Sequence, residues 1–300
     1  MVEYDSQNNA LTLGDDDALS VGEYDLEYNS TDDEFQIVSP DGNINSVPRS
    51  TSGSLVPDGL AESVAAGEAL ADDGNTYSSV QTAVDNASGW VFVGPGTFNE
   101  SVTISTAGLT LEGSGNRTTV KFVGDDNTLY IDNSDVTVDS LSIENASSGS
   151  SAVLTNTTAS NTTLSNLYID GAGDRGIESQ GPDSLIINCR VTNAPTVCID
   201  ADATRNVVTR CYVADGVGSG INIGEDDGIA SFNVIENMVQ EGINSFDDSI
   251  IIGNVIRDTG SFGIIIGGDI DSIIANNRLV NTQGISDSGT NTVLDGNLTT

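Results

Sequence analysis

Three carboxylates stand at positions that a repeating chain would bring together: Glu178, Asp200 and Asp202, with Arg175 and Arg205 nearby in sequence. Two carboxyl groups about 5–9 Å apart can act as acid and base on a glycosidic bond. Stacked strands lie ~4.8 Å apart, so groups one or two coils apart fall in that range. The plainer alternative is that they are three of 45 acidic residues on a heavily charged surface. A second acidic set is more regular: Asp226 and Asp227, Asp247 and Asp248, then Asp269 and Asp271. Each follows an isoleucine of the repeat by about five residues, so the set should line one turn of successive coils. Oxygen clusters of this kind suit Mg²⁺, Ca²⁺ or Na⁺. Solvated turns in strong salt explain them as well, and no cofactor is required by any motif. A third set, Tyr168, Arg190, Tyr212, Val234, Val255 and Arg278, should face outward, as a subunit interface, a sugar-stacking strip or scattered surface residues.

These positions depend on a repeat of about 22 residues. One column reads Leu167, Cys189, Cys211, Asn233, Asn254, Asn277, with steps of 22, 22, 22, 21 and 23. Two residues on stand Ile169, Val191, Val213, Ile235, Ile256 and Leu279; ten residues after most of the first column stand Ile177, Ile199, Ile221, Ile243 and Ile264, with Ile285 closing the series. Gly176, Gly220, Gly242, Gly263 and Gly284 precede most of that last set, with Cys198 the exception. A fixed period of this size marks a solenoid, since no single repeat can bury its own apolar face. The apolar residues alternate between Gly, Asn and Asp, which is strand and turn chemistry. The fold expected is all-β, a parallel β-helix with one coil per repeat. Asn233, Asn254 and Asn277 share inward parity, so their amides should stack as a hydrogen-bonded ladder; tolerance of left-handed turns is the alternative.

Composition narrows the setting. The chain has 300 residues, 45 acidic against 9 basic, no His, and Lys121 as its only lysine. A net charge of −36 resembles proteins of salt-saturated haloarchaeal cytoplasm or brine, where a short Debye length removes self-repulsion. It excludes nucleic acid as a partner, which needs a basic footprint. No apolar run is long enough to span a bilayer, and Met-Val-Glu-Tyr-Asp at the start has no signal-peptide pattern. Cys189 and Cys211 share an inward column as two small buried thiols, a disulfide between adjacent coils being the alternative; Cys198 is left over either way. Sequons at Asn29, Asn86, Asn99, Asn116, Asn145, Asn156, Asn161 and Asn297 fit a surface displayed outside the cell.

The chain divides into a small β module over 1–50, a connector over 51–75 with an Ala-rich short helix between Gly59 and Ala71, and the solenoid over 76–300. Within the solenoid's first residues, Val80, Ala83, Val84 and Ala87 form one face of an amphipathic helix, capped by Ser78 or Ser79. Trp90-Val-Phe-Val-Gly-Pro-Gly-Thr-Phe-Asn-Glu follows, then Leu109-Thr-Leu-Glu-Gly-Ser-Gly. This run resembles the start of the pectin-lyase-like superfamily of right-handed parallel β-helices. The resemblance covers about residues 77–300 and implies the fold, not one activity. The His and Lys motifs of polygalacturonase-like members are missing, and no pectate-lyase or pectinesterase signature can be placed on the arginines or aspartates. Ala10-Leu-Thr-Leu-Gly-Asp-Asp-Asp, Tyr24-Asp-Leu-Glu-Tyr and Phe35-Gln-Ile-Val resemble N-terminal docking modules of tailed-virus structural proteins.

The expectation is therefore a spike, turret or tail-fibre protein on the virion surface of a haloarchaeal virus, released by lysis. It would be a homo-oligomer, with a trimer implied by the resemblance. Residues 1–50 would meet other virion proteins, and the solenoid would meet a host-surface glycan or glycoprotein, without membrane insertion. The alternative is a haloarchaeal polysaccharide lyase or glycoside hydrolase.

Overall fold

A computed structural model describes residues 2–5, 10–13, 25–29, 34–38, 64–145, 149–224, 226–246, 248–267 and 271–300, the first four segments as backbone only. The chain separates into Met1–Leu60 and Ala61–Thr300. In the first unit the strands Val2–Asp5, Ala10–Leu13, Asp25–Asn29 and Glu34–Val38 form an antiparallel sheet in chain order. The rest of the expected module over 1–50 lies outside the described residues.

The second unit is a parallel β-solenoid. A typical coil contributes Leu185–Ile187 to a first sheet, Arg190–Thr192 to a second and Ile199–Ala201 to a third. Each strand pairs in parallel register with its counterpart one coil on, as Ile186 with Val208, Val191 with Val213 and Ile199 with Ile221. The third sheet runs through nine strands. Period-two alternation sends Val191, Val213, Ile235 and Ile256, and Ile177 through Ile264, into one continuous core. The glycines before the third sheet are required by packing. A Cβ on Gly176, Gly242 or Gly263 would lie 2.3, 2.4 or 2.1 Å from the inward side chain of Val191, Ile256 or Leu279.

The corners explain the Asn and Asp content. Between the first and second sheets each coil turns on a single left-handed residue: Asn166, Asn188, Arg210, Phe232, Gly253, Asn276 and Gly296. Asn, Asp and Gly adopt this conformation at least cost. The next residue is the inward column. Asn233, Asn254 and Asn277 are at most 1% exposed. Asn233 Nδ2 donates to Asn254 Oδ1 at 3.0 Å, and Asn254 Nδ2 to Asn277 Oδ1 at 3.0 Å. The backbone N–H groups of Asn233 and Asn254 donate to the same oxygens. The remaining amide protons reach the carbonyls of Val208, Ala230 and Ile251. The ladder is thus satisfied at every rung, and it continues to Asn297, which the sequence reading had treated only as a sequon. Earlier in the column, Cys189 and Cys211 are free and buried, as is Cys198. Burial pushes the Cys198 thiol up to about 12, so it rests as an inert thiol.

The first coil is closed by helix α1, Val80–Asn86, which buries Val80, Ala83 and Val84; Ser79 is its cap and accepts from the Thr82 N–H. Glu100, last residue of the Trp90–Glu100 run, reaches back to the same helix end. Its carboxylate accepts from the Val80 N–H at 2.8 Å, the Gln81 N–H at 3.1 Å and the Ser79 hydroxyl at 2.7 Å. Gln81 in turn pairs with the Thr103 N–H and carbonyl, covering the edge of the first strand of the third sheet. Glu100→Ala leaves three donors without this acceptor and removes a negative charge from a helix N-terminus. Urea unfolding in molar salt should show a loss of about 2 kcal/mol; a change below about 0.5 kcal/mol would sink this role.

The connector needs correction. The described part of the expected Gly59–Ala71 helix contains no helix: Ala69–Ala71 is a strand, antiparallel to Val91–Val93 and paired with Thr76–Tyr77. Gly67 turns in the left-handed region at φ 78°, and Ala69 and Ala71 alternate into the core. Their small side chains suit the tight space beneath the first coil, a packing demand that overrides alanine's helical preference. Residues 59–63 lie outside the described residues.

Candidate functional site

Strands Ile177–Ser179, Ile199–Ala201, Ile221–Ile223 and Ile243–Ser245 stack in register, so Glu178, Asp200, Asn222 and Asn244 form one outward column on the third sheet. Arg175, in the corner leading into the first of these strands, closes over it. Its Nε lies 2.6 Å from Asp200 Oδ2, and its Nη1 lies 2.8 Å from Asp174 Oδ2 and 3.6 Å from Glu178 Oε2. Glu178 is held from both sides, by the Ser151 hydroxyl at 2.6 Å and the Gln180 amide at 2.7 Å. Asn222 donates to Asp200, while its own Oδ1 is buried without a hydrogen-bond partner. Asp202 lies two residues beyond Asp200, and Gly224 on the next coil leaves its carboxylate room: a Cβ there would sit 2.1 Å from Asp202 Oδ1.

Burial pushes the Asp200 carboxyl up; Arg175 pulls it down and Asp202 pushes it up again, with a raised value as the result. Burial opposes the charge on Arg175, but Glu178, Asp200 and Asp174 outweigh it and raise its pKa. Because Asp200 holds its proton more tightly in the folded state, its contribution to stability is full below the unfolded pKa. That contribution is lost as pH rises through the folded one. The unfolding free energy of wild type minus that of Asp200→Asn should therefore increase as pH falls through this window. Parallel urea titrations would measure it, and a flat or opposite trend would refute the raised value.

The other expected residues are placed elsewhere. Arg205 does not join Arg175: it forms a two-point fork with Asp183, at 2.6 and 2.8 Å, on the turn before the first sheet. Asp227, Asp248 and Asp271 occupy the same turn on later coils, all in left-handed conformation alongside Asp183 and Arg205. Turn geometry thus explains their residue type. Asp226 adjoins them; Asp247 and Asp269 lie outside the described residues. Among the described residues no group of three or more Asp, Glu or Cys converges as a metal cage.

Tyr168, Arg190, Tyr212, Val234, Val255 and Arg278 form one outward row on the second sheet. Two of its members are engaged with each other. The Arg190 guanidinium lies 4.3 Å over the Tyr212 ring, and the Tyr212 hydroxyl donates to Glu236, which also pairs with Arg257 at 2.6 Å. The sequence reading missed Ser151, Gln180 and Asn222. Asn222 was reachable, as it stands one period after Asp200; Ser151 was not, because its coil precedes the regular repeat.

A family model described as the right-handed β-helix region matches residues 107–249. The solenoid is a right-handed parallel β-helix. No curated protein matches the chain. Among solved structures, the A-module of a mannuronan C-5 epimerase from Azotobacter vinelandii is 14% identical over 72% of this chain and 74% of its own, with a TM-score of 0.54. The enzymatically active domain of tailspike protein 2 from bacteriophage CBA120 is 13% identical over 97% of this chain, with a TM-score of 0.55; the chain covers 50% of that domain. The catalytic domain of a GH87 α-1,3-glucanase, solved with tetrasaccharides, is 11% identical over 73% of this chain and 57% of its own, with a TM-score of 0.54. The β-helix thus has phage tailspikes and polysaccharide-active enzymes among its structural neighbours, a likeness of fold.

Proposed function

We propose that this chain is a surface spike, turret or tail-fibre protein of a haloarchaeal virus, and that the third sheet's outward face engages host-surface glycans. The observation that carries this reading is the column Glu178, Asp200, Asn222, Asn244 beneath Arg175. It offers carboxylates and amides, the groups that hydrogen-bond sugar hydroxyls, along a stacked strand surface. The likeness to tailspikes, the separate antiparallel sheet of Met1–Leu60 and the net charge of −36 support it. Three carboxylates, from Asp174, Glu178 and Asp200, surround one arginine, with Asp202 two residues beyond Asp200, so the face suits uncharged or amino sugars better than uronates.

The second reading, a polysaccharide lyase or glycoside hydrolase, is favoured by one detail. Glu178 and Asp200 sit on adjacent coils, and Asp200 is the carboxyl pushed toward its protonated form, as a general acid requires. Glycan titration in molar salt, with a parallel assay for released reducing ends or unsaturated products, separates the two. Binding weakened about tenfold by Asn222→Ala, without product, supports the spike. Turnover abolished by Asp200→Asn supports the enzyme. Absence of glycan binding altogether would remove both.

The division of labour has its own test. A chain starting at Ala61 should fold and bind glycan yet fail to join particles, because residues 1–50 supply the docking contacts. A chain starting at Asp72 lacks the Ala69–Ala71 strand and should be less stable than the one from Ala61. Particle incorporation by the Ala61 chain would refute the docking role.

A further inference from the structure

The first sheet carries a feature that neither the site nor its chemistry uses. Its outward positions on six successive coils are Leu185, Val207, Ile229, Ile250, Ile273 and Val293, aligned in register. At strand spacing this apolar stripe runs ~24 Å along the solenoid axis. Ile273 and Val293 are 41% and 53% exposed and the other four are half-buried. Ile187 and Ile252 widen it, and the Phe232 ring, 60% exposed, lies against Gly253 at its border. From Thr163 to Ala275 the outward positions of this sheet hold no charged residue.

We propose that this face is where copies of the chain associate side by side. The charge distribution selects the occupant. A second copy also carries −36, so it is repelled wherever carboxylates line the surface. The other two sheets present such groups, with Glu178, Asp200 and Asp202 on the third and Asp170 and Glu236 on the second. A basic partner would be drawn to those faces instead. The outward positions of the first sheet from Thr163 to Ala275 put no charge between two identical solenoids. The aspartates of the turn before it, Asp183, Asp227, Asp248 and Asp271, and Asp295 at its far end form the rim, where strong salt screens them and leaves apolar attraction in place. A straight stripe parallel to the axis suits closed rotational symmetry about a parallel axis. The second-sheet row is less suited, since Arg190 and Arg278 stand in it and Tyr212 is already covered.

The test is sedimentation of the full chain in molar KCl over a range of concentrations. Wild type should form a discrete oligomer. Ile229→Thr with Ile250→Thr keeps strand propensity and should weaken association at least tenfold with an unchanged unfolding midpoint. Val234→Thr with Val255→Thr, on the second sheet of the same coils, should leave assembly intact. A monomeric wild type overturns the proposal. So does a wild type whose stripe is shielded by its own Met1–Leu60 segment, reported by blocked thiol labelling of Ile229→Cys in the monomer. Dissociation by the second-sheet pair with persistence in the first-sheet pair overturns it too. The inference deepens the spike reading, but assembly and glycan binding are measured separately, so failure of one is distinct from failure of the other.

Discussion

Asn254→Leu should lower the unfolding free energy by about 3–5 kcal/mol, although leucine is close to asparagine in size and the site is apolar around it. Asn254 Oδ1 is the acceptor for both the backbone N–H and the side-chain Nδ2 of Asn233. Its own Nδ2 supplies Asn277 Oδ1 and the Ala230 carbonyl. Leucine leaves two donors of Asn233 unpaired in the core, and such groups cost about 1–3 kcal/mol each. Asn244→Leu, on the outward face of the same region, should cost less than about 1 kcal/mol. Urea unfolding of both variants in molar salt decides it. Equal small losses would mean that the ladder is tolerated rather than stabilising.

Removing salt should act on the whole molecule. Between molar salt and about 0.1 M the Debye length grows from ~3 to ~10 Å. At that range the stacked turn residues Asp227, Asp248 and Asp271 interact along the axis, with Arg205 and Asp183 offsetting each other one step away. Few cations are available to compensate a net charge of −36. Several kcal/mol of repulsion would lower the thermal midpoint by roughly 10 °C or more in a chain of this size. Circular dichroism melts across the salt series measure it, and a midpoint constant throughout would argue against adaptation to brine.

How far the sequence could be read depended on whether a feature repeats at the coil period. The amide column, the glycines beneath the third sheet and the inward isoleucines all recur at about 22 residues, and parity alone assigned them. The contact of Arg175 with Asp200 depends on a side chain crossing to the next coil, which sequence spacing suggests but does not fix. Glu100 was legible as part of a motif but not as a helix cap, since its partners lie twenty residues back in a non-repeating segment. The first-sheet stripe was hidden for another reason. In Ile250-Ile251-Ile252 three neighbouring residues look alike, and a three-residue strand gives no alternation by which to tell the buried middle one from its outward neighbours. Asn297 dropped out because the last step shrinks to 20 residues.

The corner between the first and second sheets has the same length on every coil from Asn166 to Gly296. The interval from the third sheet to the next first sheet is not fixed: Ser245 to Ile250 is one residue shorter, and Ile266 to Ile273 one longer, than Ser179 to Leu185. Although the last coil is shortened between the second and third sheets, at Val280 to Ile285, these two coils take up their slack at the bend after the third sheet, and the amide stack stays in step. That bend borders the face carrying Asp202 and Gly224. A scaffold of this kind can be edited beside its recognition surface, by lengthening or exchanging one loop per coil, while the axis that keeps the surface in register is left untouched.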